Sequence, residues 1–167
     1  AATAKSIASG QTGVLHVGYQ SLVLHSTTVH RIIRKFRRDY ANVRLVFTLM
    51  TYQQQFEGLR DRSIDMGLIH QDVMPDKKFE TQILAKERIE FIFPKDHFLA
   101  HQAELKLADL SEQPFILPKR DELPVFHDKL LSNWAAHGLE PRIAAETDSF
   151  ASTAQLVAGG IGISYGD

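Results

Sequence analysis

Hydroxyl and amide side chains cluster in three short stretches of this sequence, each at a junction between a strand-like run and a helical pattern. The stretches are 20–26, 51–53 and 147–152. Backbone N–H groups in the first turn of a helix have no partner within the helix, and the helix dipole adds positive potential there. Helix N-termini therefore bind carboxylates and other small anions, and this pattern indicates an anion-binding site.

The same residue types also cap helices, so each hydroxyl taken alone is explained at least as well by capping. Tyr52 has a similar second explanation, because it shares a helical face with Phe56 and could belong to the core. A further wall of the site could come from "PFILPKR", residues 114–120. The candidate ligand contacts are Gln20, Ser21, Ser26, Thr51, Tyr52, Gln53, His70, Leu117, Lys119, Ser149 and Phe150.

Other chemistries find little support in the sequence. His97 and His101 have i, i+4 spacing, but no glutamate or third histidine completes the pattern of a metalloprotease helix. Cysteine is absent, and neither a Gly-x-Ser-x-Gly elbow nor a phosphate-binding glycine loop occurs. We therefore predict no catalytic residues, no metal and no cofactor.

Composition favours a globular domain without a strong charge preference. The hydrophobic fraction is 44% and the formal net charge is −1. Five positive charges lie in "RIIRKFRRDY" (31–40), which reads most simply as a solvated helix face. No apolar run approaches the roughly 20 residues that a bilayer span needs, so no membrane partner is expected.

Strand and helix patterns alternate along the chain, which predicts an α/β fold with a mostly parallel sheet. In the first half, strands are predicted at 13–19, 43–49 and 64–70. Helices are predicted after Ser26, with an apolar face of Val29, Ile32, Ile33, Phe36 and Tyr40, and at 51–62, with Tyr52, Phe56 and Leu59 on one side. In the second half we predict one or two strands in 81–94, a helical turn near 107–110, strands at 114–118 and 141–147, helices at 125–138 and 148–160, and a last strand in "IGISY".

Three glycines near the end of the sequence have structural explanations. Gly159 and Gly160 are predicted to end the last helix in a left-handed turn. Gly162 is predicted to let the following strand pack closely. A helix that precedes glycines and a strand is the reverse of a phosphate-binding loop.

Six phrases occur in an order that resembles the effector-binding domain of LysR-type transcriptional regulators, over about residues 13–164. They are "GVLHVGY", "VHRIIRKFRRDYANVRLVF", "FEGLRDRSIDMGLI", "ILAKERIEFIFPKDHFLA", "LADLSEQPFIL" and "LVAGGIGIS". The family often has glycine where Arg62 stands, so Arg62 is expected in a left-handed or distorted helix end.

The resemblance implies two Rossmann-like lobes similar to type II periplasmic binding proteins, truncated at the C-terminus. It also implies that the family's N-terminal winged helix-turn-helix and C-terminal returning segment lie outside this sequence. The expected organisation is the end of a linker helix at 1–12, a first lobe at 13–72, a hinge at 73–84 and a second lobe at 85–167.

The resemblance further implies an effector-sensing domain that binds a small anionic metabolite in the cleft between the lobes. The protein would be cytoplasmic, form a homodimer or homotetramer and bind DNA only through its N-terminal domain. Arg31, Arg34 and Asp128 match positions on helices at the family's dimer interface. One alternative is a periplasmic-type solute-binding protein of the same fold, and another is a small α/β enzyme.

Overall fold

The computed structural model describes residues 12–70, 78–86, 88, 90–121 and 124–166. These residues fall into two compact units, one formed by 12–70 with 78–86 and the other by the described residues from 88 onward. Apart from Thr12, the linker helix expected at 1–12 lies outside the described residues, as does part of the hinge expected at 73–84. No described helix has both the length and the apolar character needed to cross a membrane.

The first unit contains a parallel sheet of three strands in the order β2–β1–β3, joined by helices. A 3₁₀ turn at Val23–His25 precedes the first helix. The strand expected at 64–70 is shorter than predicted. In chain order the elements are β1 (Thr12–Tyr19), α1 (Thr27–Asp39), β2 (Asn42–Leu49), α2 (Tyr52–Asp61) and β3 (Met66–Leu68).

Helix α1 covers one face of this sheet less completely than its apolar pattern predicts. Val29 is buried against Val17 and Leu68 in the core cluster of the unit. Ile32 and Tyr40, in contrast, are 43% and 42% exposed. The predicted face is therefore only partly a core face, and its outer residues are open to solvent.

Helix α2 packs on the sheet through a different set of residues from the one predicted. Tyr52, Phe56 and Leu59 are half-buried, whereas Gln55 and Gly58 are the buried positions. The reason is that Gly18 and Gly67 leave a space on the sheet surface, and the Gln55 side chain occupies it.

The second unit contains two strand pairs. Strands β5 and β6 are parallel, strands β4 and β7 are antiparallel, and a parallel bridge between Phe115 and Ile163 links β5 to the residue before β7. Its elements are β4 (Glu90–Ile92), α3 (Leu107–Leu110), β5 (Pro114–Pro118), α4 (Pro124–Ala136), β6 (Arg142–Thr147), α5 (Phe150–Ala158) and β7 (Ser164–Gly166).

The core of the second unit lies between its sheet and its helices. Phe115 and Trp134 meet edge to face with ring centroids 4.7 Å apart. Leu117, Ile163 and Tyr165 are also buried in this cluster. Helix α4 thus contributes Trp134 to the core.

The strand prediction for 81–94 is wrong for most of its length. Among the described residues of that range only Glu90–Ile92 forms a strand, and residues 81–86 have no regular secondary structure. Ile83 is 77% exposed there. A β-rich composition forms a strand only where a partner strand is available, and none pairs with 81–86.

Two backbone expectations are confirmed by the torsion angles. Arg62 ends α2 in the left-handed region with φ 65° and ψ 25°. After α5, Gly160 has φ +76°, whereas Gly159 stays right-handed at φ −76°, so one glycine rather than two makes the turn. Gly162 packs so closely that a Cβ there would lie 2.3 Å from the carbonyl oxygen of Pro114.

Candidate anion-binding site

Each of the three predicted junctions is a helix N-terminus capped by a hydroxyl. The Ser26 Oγ accepts a hydrogen bond from Val29 N at 3.4 Å, and the Ser149 Oγ accepts one from Ser152 N at 3.2 Å. At α2, the Thr51 Oγ1 accepts from Gln54 N at 3.3 Å, while the Gln54 side chain accepts from Thr51 N at 2.9 Å. The capping role left open by the sequence is therefore present at all three helices, and it fixes where each helix begins.

Capping leaves the first turn of α2 with donors to spare. Among the described residues, none accepts a hydrogen bond from the backbone N–H of Tyr52 or of Gln53. Both groups lie at the positive end of the helix dipole. An anion that reaches this end can accept two N–H groups without displacing the Thr51 cap.

An aromatic row fixes the Tyr52 side chain beside that helix end. Its ring meets Phe56 edge to face at 5.7 Å, and Phe56 stacks on Phe79 at 5.7 Å. The Arg60 guanidinium lies 5.8 Å from the centroid of the Phe79 ring. Tyr52 is only half-buried, so its ring is both supported from one side and accessible.

Gln20 and His70 are brought together at the carboxyl edge of the first sheet. The Gln20 side-chain oxygen accepts a hydrogen bond from His70 N at 2.7 Å, and Gln20 N donates to the Leu68 carbonyl at 3.1 Å. Gln20 is 1% exposed and Ser26 is 7% exposed, whereas Ser21 and His70 are half-buried. Gln20 is thus a buried residue that connects two segments, whereas Ser21 and His70 are more accessible to a ligand.

The second unit presents a group of hydroxyls at the end of β6. The hydroxyls of Thr147 and Thr153 lie 2.5 Å apart, and those of Ser149 and Ser152 lie 2.8 Å apart. Thr147 and Thr153 are buried, Ser149 is half-buried and Ser152 is exposed, so the two serines carry the accessible hydroxyls at the start of α5. The exposed Lys119 donates its backbone N–H to the Thr147 carbonyl at 2.7 Å.

The two remaining candidates in this unit differ in accessibility. Leu117 is fully buried in the core cluster, where it supports β5. Phe150 is half-buried and lies beside Gly166, at which a Cβ would be only 2.6 Å from the Phe150 ring. Phe150 therefore has a surface that a ligand can contact.

The sequence analysis missed two buried polar residues, Gln55 on α2 of the first unit and Thr153 on α5 of the second. Gln55 lies at i+3 from Tyr52 and i−4 from Leu59, so it stands in the middle of the predicted inward stripe of α2. A polar residue within an apolar stripe is a signal that could have marked it. Thr153 carries a similar signal, because it follows the Ser149 cap by one helical turn.

No group of three His, Asp or Glu side chains in the described part of the chain is arranged to hold a metal ion. His97 instead caps the 3₁₀ turn Phe98–His101, accepting at Nδ1 from Leu99 N at 3.2 Å. Its ring also stacks on Phe98 with a centroid separation of 4.9 Å.

In open parallel α/β sheets, small molecules bind outside the carboxyl ends of the strands, where the following helices begin. The sequence matches the LysR substrate binding domain family over residues 8–166, and the chain belongs to this family. The expected α/β fold of LysR effector-binding domains, which resembles that of type II periplasmic binding proteins, is thereby confirmed.

Several regulators are similar to this chain over nearly its whole length. The uncharacterized HTH-type transcriptional regulator YnfL of Escherichia coli K12 is 29% identical over 164 residues, which are 98% of this chain and 55% of YnfL. The HTH-type transcriptional regulator CatR of Pseudomonas putida is 30% identical over 161 residues, 95% of this chain and 54% of CatR. The chain therefore spans about half the length of these relatives.

Among solved structures, the BenM effector binding domain with its effector benzoate has a TM-score of 0.71 and 26% identity. The similarity covers 92% of this chain and 69% of that one. These relatives belong to a family of transcriptional regulators, and they do not favour the alternative of a transport protein.

Proposed function

We propose that this chain is the effector-sensing domain of a LysR-type DNA-binding transcriptional regulator and that it binds a small carboxylate. The observation that carries the proposal is the set of hydroxyl-capped helix N-termini that follow parallel strands in both units. The benzoate held by the BenM domain supports a carboxylate ligand. The cleft between the lobes stays a prediction from the resemblance.

The chemistry of these helix ends suits a carboxylate better than a neutral ligand. A hydrogen bond to a charged acceptor contributes roughly 1.5–3 kcal/mol, and a helix N-terminus adds about 0.3–1 kcal/mol for an adjacent anion. A neutral analogue loses most of both contributions. Each helix end therefore selects for charge, and each unit has a half-buried ring at such an end, Tyr52 in the first unit and Phe150 in the second, that offers apolar contacts to a ligand.

Sensing in this proposal means that the ligand binds one arrangement of the regulator more tightly than another. The ligand then shifts the equilibrium by its difference in affinity. DNA is read by a winged helix-turn-helix domain of the kind that the family carries. A regulator that contacts DNA in this way works in the cytoplasm.

Self-association is the second part of the proposal, as a homodimer or homotetramer through Arg31, Arg34 and Asp128. Helix α1 supports it because Ile32 and Tyr40 remain exposed beside the basic side chains. An open groove of about 370 Å³ lies on this helix, lined by His30, Ile33, Arg34 and Arg37. Apolar surface with a basic rim suits a partner surface that is apolar and acidic.

The first test is a thermal-shift screen of organic acids against their neutral analogues, with benzoate and benzamide as one matched pair. We expect acids to raise the melting temperature and the amides to leave it unchanged. Stabilisation only by cations or by large apolar compounds would contradict the proposal.

Ser149→Asp separates anion binding from capping at α5. Asp is as good a cap as Ser, so the fold should keep its stability. The new negative charge should weaken binding of the acid found in the screen tenfold or more, since two like charges about 4 Å apart repel by roughly 1–4 kcal/mol. Ser149→Asn is the matched control, because it caps the helix without the charge. If calorimetry gave equal affinities for the two variants, the N-terminus of α5 would not contribute to anion binding.

A further inference from the structure

Two glutamines are buried at the carboxyl edge of the first sheet. Gln20 is 1% exposed and Gln55 is 0% exposed. Glutamine is mostly found at protein surfaces, and a buried amide needs hydrogen-bond partners to offset its loss of water. Burial of both side chains at the edge that carries the anion-binding residues therefore requires a physical explanation.

The Gln55 side chain lies in a slot with two glycines as its floor. Gly18 on β1 and Gly67 on β3 are direct partners in the parallel register. A Cβ at Gly18 would be 2.9 Å from the Gln55 Cγ, and a Cβ at Gly67 would be 2.7 Å from the Gln55 Oε1. Any larger residue at Gly67 would meet the amide, so the glycine pair and Gln55 fit one another.

The Gln55 amide joins the ends of two strands. Its Nε2 donates to the Met50 carbonyl at 3.2 Å and to the Leu68 carbonyl at 3.3 Å. Met50 directly precedes Thr51, the cap of α2, and Leu68 is the last residue of β3. Carbonyl oxygens only accept hydrogen bonds, so these two partners fix the amide with its nitrogen toward them.

Gln20 connects the end of β1 to the end of β3 and to the segment that follows it. It follows β1, donates its backbone N–H to the Leu68 carbonyl, and accepts the His70 N–H on its side chain. Gln20 and Gln55, which we call the glutamine clamp, thus hold together the segments that follow β1, β2 and β3. Those segments include the candidate contacts from Gln20 to Ser26, from Thr51 to Gln53, and His70.

We propose that the glutamine clamp positions the candidate anion-binding groups of the first unit, an inference that rests on the proposed function. Neither amide needs to touch the ligand. The clamp holds the N–H groups of Tyr52 and Gln53 in place before binding, so the ligand does not have to order them. Loss of either glutamine side chain should weaken anion binding by a folded protein, beyond any effect on folding.

Gln55→Met tests the clamp, because it keeps the side-chain length and removes both N–H donors. We expect about a tenfold loss of affinity for the acid from the thermal-shift screen, measured by calorimetry well below the melting temperature. Val17→Ala is the matched control. Val17 precedes Gly18 on β1 and is buried in the core cluster of the unit, together with Val29 of α1. It should lower stability and leave the affinity unchanged.

Gln20→Met provides a second variant and a measurement that needs no ligand. Amide hydrogen exchange at His70 should accelerate tenfold or more, because its acceptor is lost. Exchange at Asp65, whose N–H donates to the His16 carbonyl at 2.9 Å, should not change. An unchanged rate at His70, or wild-type affinity in a folded Gln55→Met protein, would overturn the clamp. If the unaltered chain bound no acid, the proposed function would be contradicted. The exchange rates would then test only whether the glutamine clamp holds the segment at His70.

Discussion

Arg62 stands at the end of α2 in a backbone conformation that glycine adopts more easily. Its φ of 65° brings the Cβ of an L-residue close to its own backbone, at a cost of roughly 1–2 kcal/mol. We expect Arg62→Gly to raise the free energy of unfolding by about 0.5–1 kcal/mol, since glycine's larger entropy in the unfolded chain offsets part of the gain. Urea denaturation of the two proteins measures this difference.

Glu57→Gly is the control for that substitution, because Glu57 is an exposed residue in the interior of the same helix. Glycine there should lower stability by about 1 kcal/mol. If Arg62→Gly also lowered the free energy of unfolding, the left-handed conformation of Arg62 would not be what destabilises this end of the helix.

The role of a residue could be predicted from the sequence where it depends on neighbouring residues, and could not where it depends on distant ones. Ser26 and Ser149 cap their helices as expected, because capping depends only on the next three residues. Gln20 and Gln55 were not recognised as buried, since their partners are backbone groups and glycines in other segments of the first unit. Their burial depends on the register of β1 with β3, which no single segment of the sequence contains.

At the scale of elements, Gly162 controls how the segment before β7 meets β5. The Ile163 N–H donates to the Pro114 carbonyl at 2.8 Å, and the Ile116 N–H donates to the Ile163 carbonyl at 2.8 Å. A Cβ at Gly162 would lie 2.3 Å from that Pro114 oxygen, so Gly162→Ala must push the segment away. We expect it to lower the free energy of unfolding by about 1–3 kcal/mol.

Gly159→Ala is a close control for Gly162→Ala. Gly159 has a right-handed φ of −76°, and a Cβ there would meet nothing nearer than 3.4 Å. This variant should stay within about 0.5 kcal/mol of the unaltered protein in thermal or urea unfolding. If both variants lost a similar free energy of unfolding, the close approach to Pro114 would not explain why residue 162 is a glycine.

Prediction of elements succeeded where the local pattern and the available partner agreed. Strand β5 has the predicted bounds 114–118, and the turn at 107–110 is α3. In 81–94 the apolar residues suggested strands, but among the described residues of that range only Glu90–Ile92 pairs with another strand, β7. Periodicity reports which residues could line a strand, whereas pairing depends on distant parts of the chain.

At the scale of the whole molecule, six phrases in order identified the family, which the separate elements could not do. The family then supplies the fold class, which alternation alone had only narrowed to α/β. The identity of the effector was beyond this reasoning. Capped helix ends select for negative charge, but they do not specify the ring or chain that a carboxylate carries.

Self-association is the prediction that belongs to the assembled protein. Asp128 already forms two hydrogen bonds with Arg120 of its own chain, at 2.7 and 2.6 Å, and this pairing lowers the pKa of its carboxyl below the usual value. It is therefore charged at neutral pH and remains about half exposed, so a basic helix of a second copy can still approach it. Arg31 and Arg34 would lie on that helix.

We expect Arg31→Glu combined with Arg34→Glu to shift the protein toward monomer in sedimentation velocity at low ionic strength. The reason is that opposite charges steer and orient the two surfaces, whereas like charges repel. Lys86→Glu with Lys95→Glu is the matched control, because it makes the same change in net charge at two exposed lysines that are not part of α1. If the sedimenting mass of the α1 variant were unchanged, the basic residues would form only a solvated helix face. A monomeric control would show that total charge, and not this helix, governs association.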